Sequence, residues 1–281
     1  MTSETMEKEE KNRVSRRFSL RKHKKQIGLI CGASLTVTLL GFIPPLDATV
    51  SCSDDSIRLP YLPDTISVAM LLTIALLIPF ITMTITEYLN PPVHSYKNYS
   101  LGQCVRTSWH YIGDLFVGGL FMFVINDFMK IFTSEARPSF WSSCSPDVSN
   151  EQCRNEYITV SWKDCTNPYN LTRGRLVDSM KSFPSGHASV SVYSSLFMIV
   201  YIKERIWKNG SLLIAVFMQL TWVGWTYLCC QSRIWDNRHH WWDILVGAFL
   251  GAFGTLFTLN YFSNWFIREN YSQKPGYSQD K

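Results

Sequence analysis

The sequence predicts an all-α, integral-membrane bundle of six transmembrane helices. Its apolar residues are gathered into long blocks, and two of these, residues 26–46 and 65–86, contain no Asp, Glu, Lys or Arg. About 20 apolar residues are what a helix needs to cross a hydrocarbon core of roughly 30 Å. Four further blocks complete the six predicted spans, at residues 108–132, 186–202, 212–228 and 244–262.

The charge distribution predicts the orientation and the division of the chain. Residues 1–25 form a basic tail next to the first span, residues 26–263 form one membrane domain, and residues 264–281 form a second tail. By the positive-inside rule, both tails are cytoplasmic. A basic cluster at this position is typical of membrane topology or of attraction to anionic lipid, so the bilayer is the predicted partner and nucleic acid is not.

Six spans with a cytoplasmic start place residues 47–64, 133–183 and 229–241 outside the cell or in a lumen. Asn170, in the sequon Asn170-Leu171-Thr172, is the glycosylation candidate in these segments. The segments also contain four cysteines that an oxidising compartment could pair, although their connectivity cannot be read from the sequence. No paired C-x-x-C pattern is present, so no metal site is predicted. The four are Cys52, Cys144, Cys153 and Cys165.

Three polar clusters stand at span ends that this topology places on the same external face. The first is K-x6-RP where the third span ends, the second is PSGH where the fourth begins, and the third is SR-x5-H-x3-D before the sixth. Phosphoryl transfer spreads charge over three equatorial oxygens, which cations and N–H donors must hold. The phosphate-binding candidates are Lys130, Arg137, Ser185, Gly186 and Arg233.

Two histidines and one aspartate supply the predicted catalytic groups. His239 and Asp243 are four residues apart, so on a helix they share a face, and the carboxylate can keep one ring nitrogen protonated while the other attacks phosphorus. His187 is placed to protonate the leaving alkoxide and then to activate water. His240 falls outside this spacing and is expected to be an ordinary interfacial histidine. Asp114 lies inside the third span, and no partner for it can be named.

These clusters resemble, residue for residue, the three motifs of the type 2 phosphatidate phosphatase family, in particular its animal lipid phosphate phosphatases. The resemblance covers residues 26–262 and includes CSDDSI at residues 52–57. It implies six spans, with His239 as the nucleophile, Asp243 as its orienting partner and His187 as the acid and base. It also implies that the five phosphate-binding candidates hold the substrate.

The resemblance further implies a metal-independent reaction without a cofactor, at the plasma membrane with an extracellular site or at a membrane of the secretory pathway. The implied substrates are membrane lipid phosphates, namely phosphatidate, lysophosphatidate, sphingosine 1-phosphate and ceramide 1-phosphate, in phospholipid metabolism and lipid signalling. Two other functions stay open. One is a same-fold enzyme of different scope, either a lipid phosphotransferase or a phosphatase for a polar sugar or isoprenoid ester. The other is a non-enzymatic scaffold or receptor that binds lipid phosphates without cleaving them. A homo-oligomer also stays open.

Overall fold

The computed structural model describes residues 28, 31–36, 38–41, 43–46, 48–90, 100–155, 157–207 and 211–266. This part of the chain is mostly helical. The basic tail at residues 1–25 and residues 267–281 of the second tail lie outside it, as does part of the predicted first span. The helices, numbered in chain order, are α1 (Cys31–Gly41, apart from residue 37), α2 (Val68–Leu89), α3 (Leu101–Thr133), α4 (Phe140–Cys144), α5 (Asn150–Asn155), α6 (Arg173–Asp178), α7 (Gly186–Ile202), α8 (Leu212–Trp235) and α9 (Trp241–Thr258).

Four helices in the described part of the chain are long and apolar enough to cross a membrane: Val68–Leu89, Leu101–Thr133, Leu212–Trp235 and Trp241–Phe266. Two of them begin earlier than the apolar pattern predicts, because polar residues cap them. Ser100 and Gln103 form a reciprocal capping box before α3, and His240 and Asp243 form one before α9. The last span candidate continues beyond α9 through a π-helical turn and a short 3-10 turn.

The centre of the bundle is α7, which has 17 residues and packs closely against α9. Glycines on α9 permit this approach. A Cβ added at Gly247 would lie 2.5 Å from the carbonyl oxygen of Ser185, and one at Gly251 would lie 2.5 Å from that of Ser189. The backbone N–H of Ser185 also donates to the carbonyl of Asp243 at 3.0 Å. The beginnings of α7 and α9 are therefore held together at one end of the bundle.

Polar groups inside the bundle have partners on neighbouring helices. Ser263 Oγ donates to Asp114 Oδ2 at 3.3 Å, which gives Asp114 the partner that the sequence could not name. At the far end of the bundle from the motifs, Glu87 and Arg205 form a buried ion pair at 3.5 Å, and Tyr201 donates to Glu87. Pairing of this kind is how charged residues are accommodated at such depth.

A small cap of irregular structure covers the end where α7 and α9 begin. Two disulfides fix it, Cys52–Cys153 and Cys144–Cys165, and these are the four cysteines that the topology places outside. The cap also contains an antiparallel pair of two-residue strands, β1 (Val50–Ser51) and β2 (Thr159–Val160), so the described chain is helical with one short strand pair added. Burial of apolar side chains between the segments, such as Ile57 and Phe140, gives the cap its own core.

Candidate active site

The three polar clusters meet around one cavity of about 300 Å³ at the capped end of the bundle. α3 contributes a lysine in its last turn, α8 contributes an arginine in its last turn, and α7 and α9 contribute their first residues or the residues just before them. Six of the eight predicted site residues line the cavity: Lys130, Arg137, Gly186, His187, Arg233 and His239. The other two, Ser185 and Asp243, are fully buried directly behind it.

The His239 ring is held by the start of α9. Its Nδ1 lies 3.3 Å from Asp243 Oδ2, although His239 precedes the helix instead of sharing a helical face with Asp243. The contact forms because Asp243 caps α9, with the same Oδ2 atom accepting from the backbone N–H of His240 at 2.9 Å. Among the described residues, no hydrogen bond is made by Nε2. His239 lines the cavity, so Nε2 is the ring nitrogen that is free to react with a bound ligand.

A buried serine completes this arrangement, and the sequence motifs did not predict it. Ser182 Oγ donates to Asp243 Oδ2 at 2.6 Å and lies 3.5 Å from His239 Nδ1. Burial lowers the pKa of His239 from 6.5 to about 4, although the hydrogen bond with Asp243 opposes that shift. The ring is consequently neutral at pH 7, which is the form that can act as a nucleophile.

The two arginines predicted to bind phosphate are already paired with carboxylates. Arg137 donates to Asp178 Oδ2 at 2.7 Å and to the Asp178 carbonyl at 2.9 Å. Arg233 is 1 % exposed and contacts Asp64 at 3.0 Å and Asp236 at 2.8 Å. These contacts fix the direction of each guanidinium group, and a bound phosphate would have to share or replace them.

The N-terminus of α7 adds backbone donors and the lysine. Ser185 caps the helix, with its side chain accepting from the Ala188 N–H at 3.4 Å. A Cβ placed on Gly186 would lie 3.8 Å from Lys130 Nζ, so the ammonium group sits beside the first turn of the helix. Free N–H groups and the helix dipole favour an anion at this position.

His187 is oriented by the loop before α2. Its Nε2 lies 3.1 Å from the carbonyl oxygen of Ile66, and a carbonyl can only accept, so this nitrogen carries the proton. Nδ1 is then the acceptor nitrogen of the ring. The structure thus brings His187 and His239 to the same cavity, with different nitrogens held by the protein.

Several cavity residues lie outside the three motifs. Asp64 bridges Arg233 and Arg238, each at 3.0 Å, and the Arg238 guanidinium lies 4.8 Å from the centre of the Tyr61 ring. Arg238 precedes His239 directly, so its position in the chain was a usable signal. The others come from the first external loop, from the segment before α7, and from α2 and α3, at positions that no motif covers.

The chain matches the model of the PAP2 superfamily over residues 107–267. Phospholipid phosphatase 2 of Mus musculus is 30% identical over 237 residues, which is 83% of this chain and 83% of the mouse protein. Phospholipid phosphatase 1 of Rattus norvegicus is 30% identical over 226 residues, 79% of this chain and 77% of its own length. A phospholipid phosphatase homologue of Caenorhabditis elegans is 28% identical over 266 residues, 86% of this chain and 74% of the nematode protein. No solved structure gives a significant match.

The matched region contains α7, α8, α9 and most of α3, and therefore every predicted site residue. The similarity to the phospholipid phosphatases extends beyond it to most of the chain. The chain is a member of the PAP2 superfamily and a relative of the animal phospholipid phosphatases.

Proposed function

We propose that this protein is a lipid phosphate phosphatase that hydrolyses phosphomonoesters through a phosphohistidine intermediate on His239. The observation that carries the proposal is the cavity itself. One space of about 300 Å³ is lined by Lys130, two arginines and two histidines, and a buried carboxylate lies 3.3 Å behind the proposed nucleophile. This is the set of groups that phosphoryl transfer requires.

In the first step, the Nε2 lone pair of His239 attacks phosphorus and the bond from phosphorus to the lipid oxygen breaks. The proton on Nδ1 stays with the imidazole, and Asp243 stabilises the positive charge that forms there. Lys130, Arg137 and Arg233 hold the equatorial oxygens, together with N–H groups at the start of α7. The leaving alkoxide takes a proton from His187.

In the second step, His187 removes a proton from water, and the water oxygen attacks phosphorus. The phosphorus–nitrogen bond breaks, the electron pair returns to Nε2 of His239, and inorganic phosphate leaves. The observed orientation of His187, with Nδ1 as the acceptor nitrogen, suits this base step directly. The acid step needs a second proton on the ring, at Nδ1, and the base step restores it when Nδ1 takes the proton from water.

The walls of the cavity support a lipid as the substrate. On the bundle side it is lined by Val68 and Leu71 of α2 and Phe123 of α3. An apolar cleft of about 50 Å³, which shares Phe123 with this cavity, lies between α2, α3 and α7. A phosphate held at the polar end would leave its acyl chain along this cleft. The substrates we propose are phosphatidate, lysophosphatidate, sphingosine 1-phosphate and ceramide 1-phosphate.

The proposal includes six spans, with the site on the outer side of the plasma membrane. α7 would be the fourth span, despite having only 17 residues, and the segment that contains α1 would be the first. Two disulfides beside the site support an oxidising compartment. Asn170, which is exposed in the cap, would be the glycosylated residue.

The test is phosphate release by the purified protein from each lipid, in the presence of a metal chelator. His239→Ala should abolish release, and the matched control His110→Ala, at an exposed position near the start of α3, should retain it. Rapid acid-free quenching with labelled substrate should trap an alkali-stable phosphoenzyme in the parent protein only. Undiminished release by His239→Ala would refute the mechanism, and loss of activity in chelator that magnesium restores would refute metal independence.

A further inference from the structure

A second cavity, of about 600 Å³, shares Lys130 and Asp178 with the active-site cavity. It lies between the end of α1, the end of α3 and the segment that contains α6, and we call it the rear cavity. Its volume is in the range of sites for small ligands, and the phosphatase mechanism assigns it no role. The residues that define it are Gly41, Pro44, Asp127, Lys130, Arg173 and Lys181.

The rear cavity has an excess of positive charge. Its lining carries two carboxylates, Asp127 and Asp178, and three cations, Lys130, Arg173 and Lys181. Asp178 is partly neutralised, because it pairs with Arg137 at 2.7 Å. In the part of the chain that the structure describes, neither Lys130 nor Arg173 forms an ion pair. Cations that lack a carboxylate partner in a cleft favour an anionic ligand.

Lys181 fixes one wall of the rear cavity. The residue is 8 % exposed, and its Nζ donates to the Ile43 carbonyl at 2.7 Å, which joins the end of α1 to the segment after α6. Burial lowers the pKa of Lys181, although Asp127 and Asp178 oppose that shift. A bound anion would stabilise the buried ammonium group in the same way as these two carboxylates.

An aromatic side chain with two basic neighbours forms another part of the wall. The Arg173 guanidinium lies 5.3 Å from the centre of the Trp162 ring, and Lys163 Nζ lies 5.7 Å from it. Trp162 and Pro44 also border a neighbouring cavity of about 290 Å³. Tryptophan together with basic side chains is typical of the level at which membrane lipids place their headgroups.

The position of the rear cavity favours a lipid over a free ion. Lys130 is in the last turn of α3, a helix long and apolar enough to cross a membrane, so the cavity lies where headgroups begin. Apolar Pro44 and Val177 line it beside the charged groups. A free phosphate ion needs polar partners on every side, whereas a lipid headgroup leaves one side to its own apolar chains.

We propose that the rear cavity binds the phosphodiester headgroup of an anionic phospholipid that is not a substrate, and that this lipid competes with the substrate phosphate for Lys130. The competition rests on the proposed function, in which Lys130 holds an oxygen of the transferred phosphoryl group. Lysine is a point charge on a flexible stem, so its ammonium group can turn toward either cavity. An occupied rear cavity should therefore raise KM for a lipid phosphate and leave kcat unchanged.

Binding is measured first, by native mass spectrometry of the full chain in detergent, titrated with phosphatidylglycerol and in parallel with zwitterionic phosphatidylcholine. The parent chain should retain one phosphatidylglycerol in preference to phosphatidylcholine. Arg173→Gln, at an exposed position, and Lys181→Gln, which keeps a donor for the Ile43 carbonyl, should each lower that affinity about 10-fold. The matched control Arg175→Gln, on the same helix but lining the active-site cavity, should bind as the parent chain does.

The binding experiment can overturn the site in several ways. Equal affinity for the two lipids, or unchanged affinity in both Arg173→Gln and Lys181→Gln, would remove the evidence for an anionic headgroup in the rear cavity. A loss confined to Arg175→Gln would place the lipid in the active-site cavity instead. Displacement of phosphatidylglycerol by an equal concentration of inorganic phosphate would make the free ion the ligand and refute the lipid.

Competition is measured next, as phosphate release from a lipid phosphate in micelles of constant total lipid, in which phosphatidylglycerol replaces phosphatidylcholine. KM of the parent chain should rise at constant kcat. Arg173→Gln should have the parent KM without phosphatidylglycerol and a smaller rise with it. An equal rise in both chains would trace the effect to micelle charge and overturn the competition. If the chain released no phosphate at all, the proposed function would fail, but the mass spectrometry would still decide whether the site exists.

Discussion

Replacement of Gly247 by alanine tests whether close packing of α9 on α7 sets the geometry of the site. The added Cβ would lie 2.5 Å from the Ser185 carbonyl oxygen, whereas ordinary contact begins at 3.4 Å. The two backbones must therefore separate by about 0.9 Å, which is the difference between these two distances. That shift would break the 3.0 Å bond from the Ser185 N–H to the Asp243 carbonyl and move the first turn of α7 away from His239.

Two effects of different size should follow. Overpacking in a well-packed core costs about 1–3 kcal/mol of the free energy of unfolding. Displacement of catalytic groups by about 1 Å costs about 100-fold in rate. We therefore expect Gly247→Ala to lose about 100-fold in kcat/KM while the folded protein is still obtained.

Gly251→Ala separates these two effects, because its Cβ makes the same 2.5 Å clash one turn further from the site, against the Ser189 carbonyl. It should lose similar stability and much less activity. Gly224→Ala, which has no atom within 4 Å of its Cβ, should lose neither. Thermal unfolding in detergent and phosphate release from a lipid phosphate measure both quantities. Parent-level turnover in Gly247→Ala, or equal activity losses in the Gly247 and Gly251 variants, would refute the reasoning.

Three further predictions concern the site and the core. Ser182→Ala removes the 2.6 Å donor to Asp243, so kcat should fall about 10-fold at constant KM in steady-state assays, and an unchanged kcat would contradict the orienting role. Because burial holds the pKa of His239 at about 4, the neutral ring persists on acidification until that pH. Its modification by diethyl pyrocarbonate, followed by peptide mass spectrometry, should be half-maximal near pH 4, and a midpoint at the ordinary histidine value would count against burial. Glu87→Gln removes the carboxylate charge beside buried Arg205, so the free energy of unfolding should fall by about 3 kcal/mol, and an unaltered unfolding midpoint would exclude this contribution.

The sequence by itself determined the apolar blocks, the helical class and the three motifs whose residues the structure brings to one cavity. Each block is a local property, since the bilayer selects length and composition within a single segment. The three motifs were readable for a related reason, because Lys130, Gly186 and His239 each stand where a helix ends or begins. The sequence topology predicted that these helix ends share one end of the bundle, and the structure brings them to one cavity.

Tertiary structure alone decided which groups support those residues. Ser182 reaches Asp243 across 61 positions, and Asp64 reaches Arg233 across 169, so no local pattern could reveal either contact. The disulfide connectivity depends on the same long-range folding. The physical reason is that hydrogen bonds are satisfied by whichever groups the packed segments bring within about 3 Å, regardless of their separation along the chain.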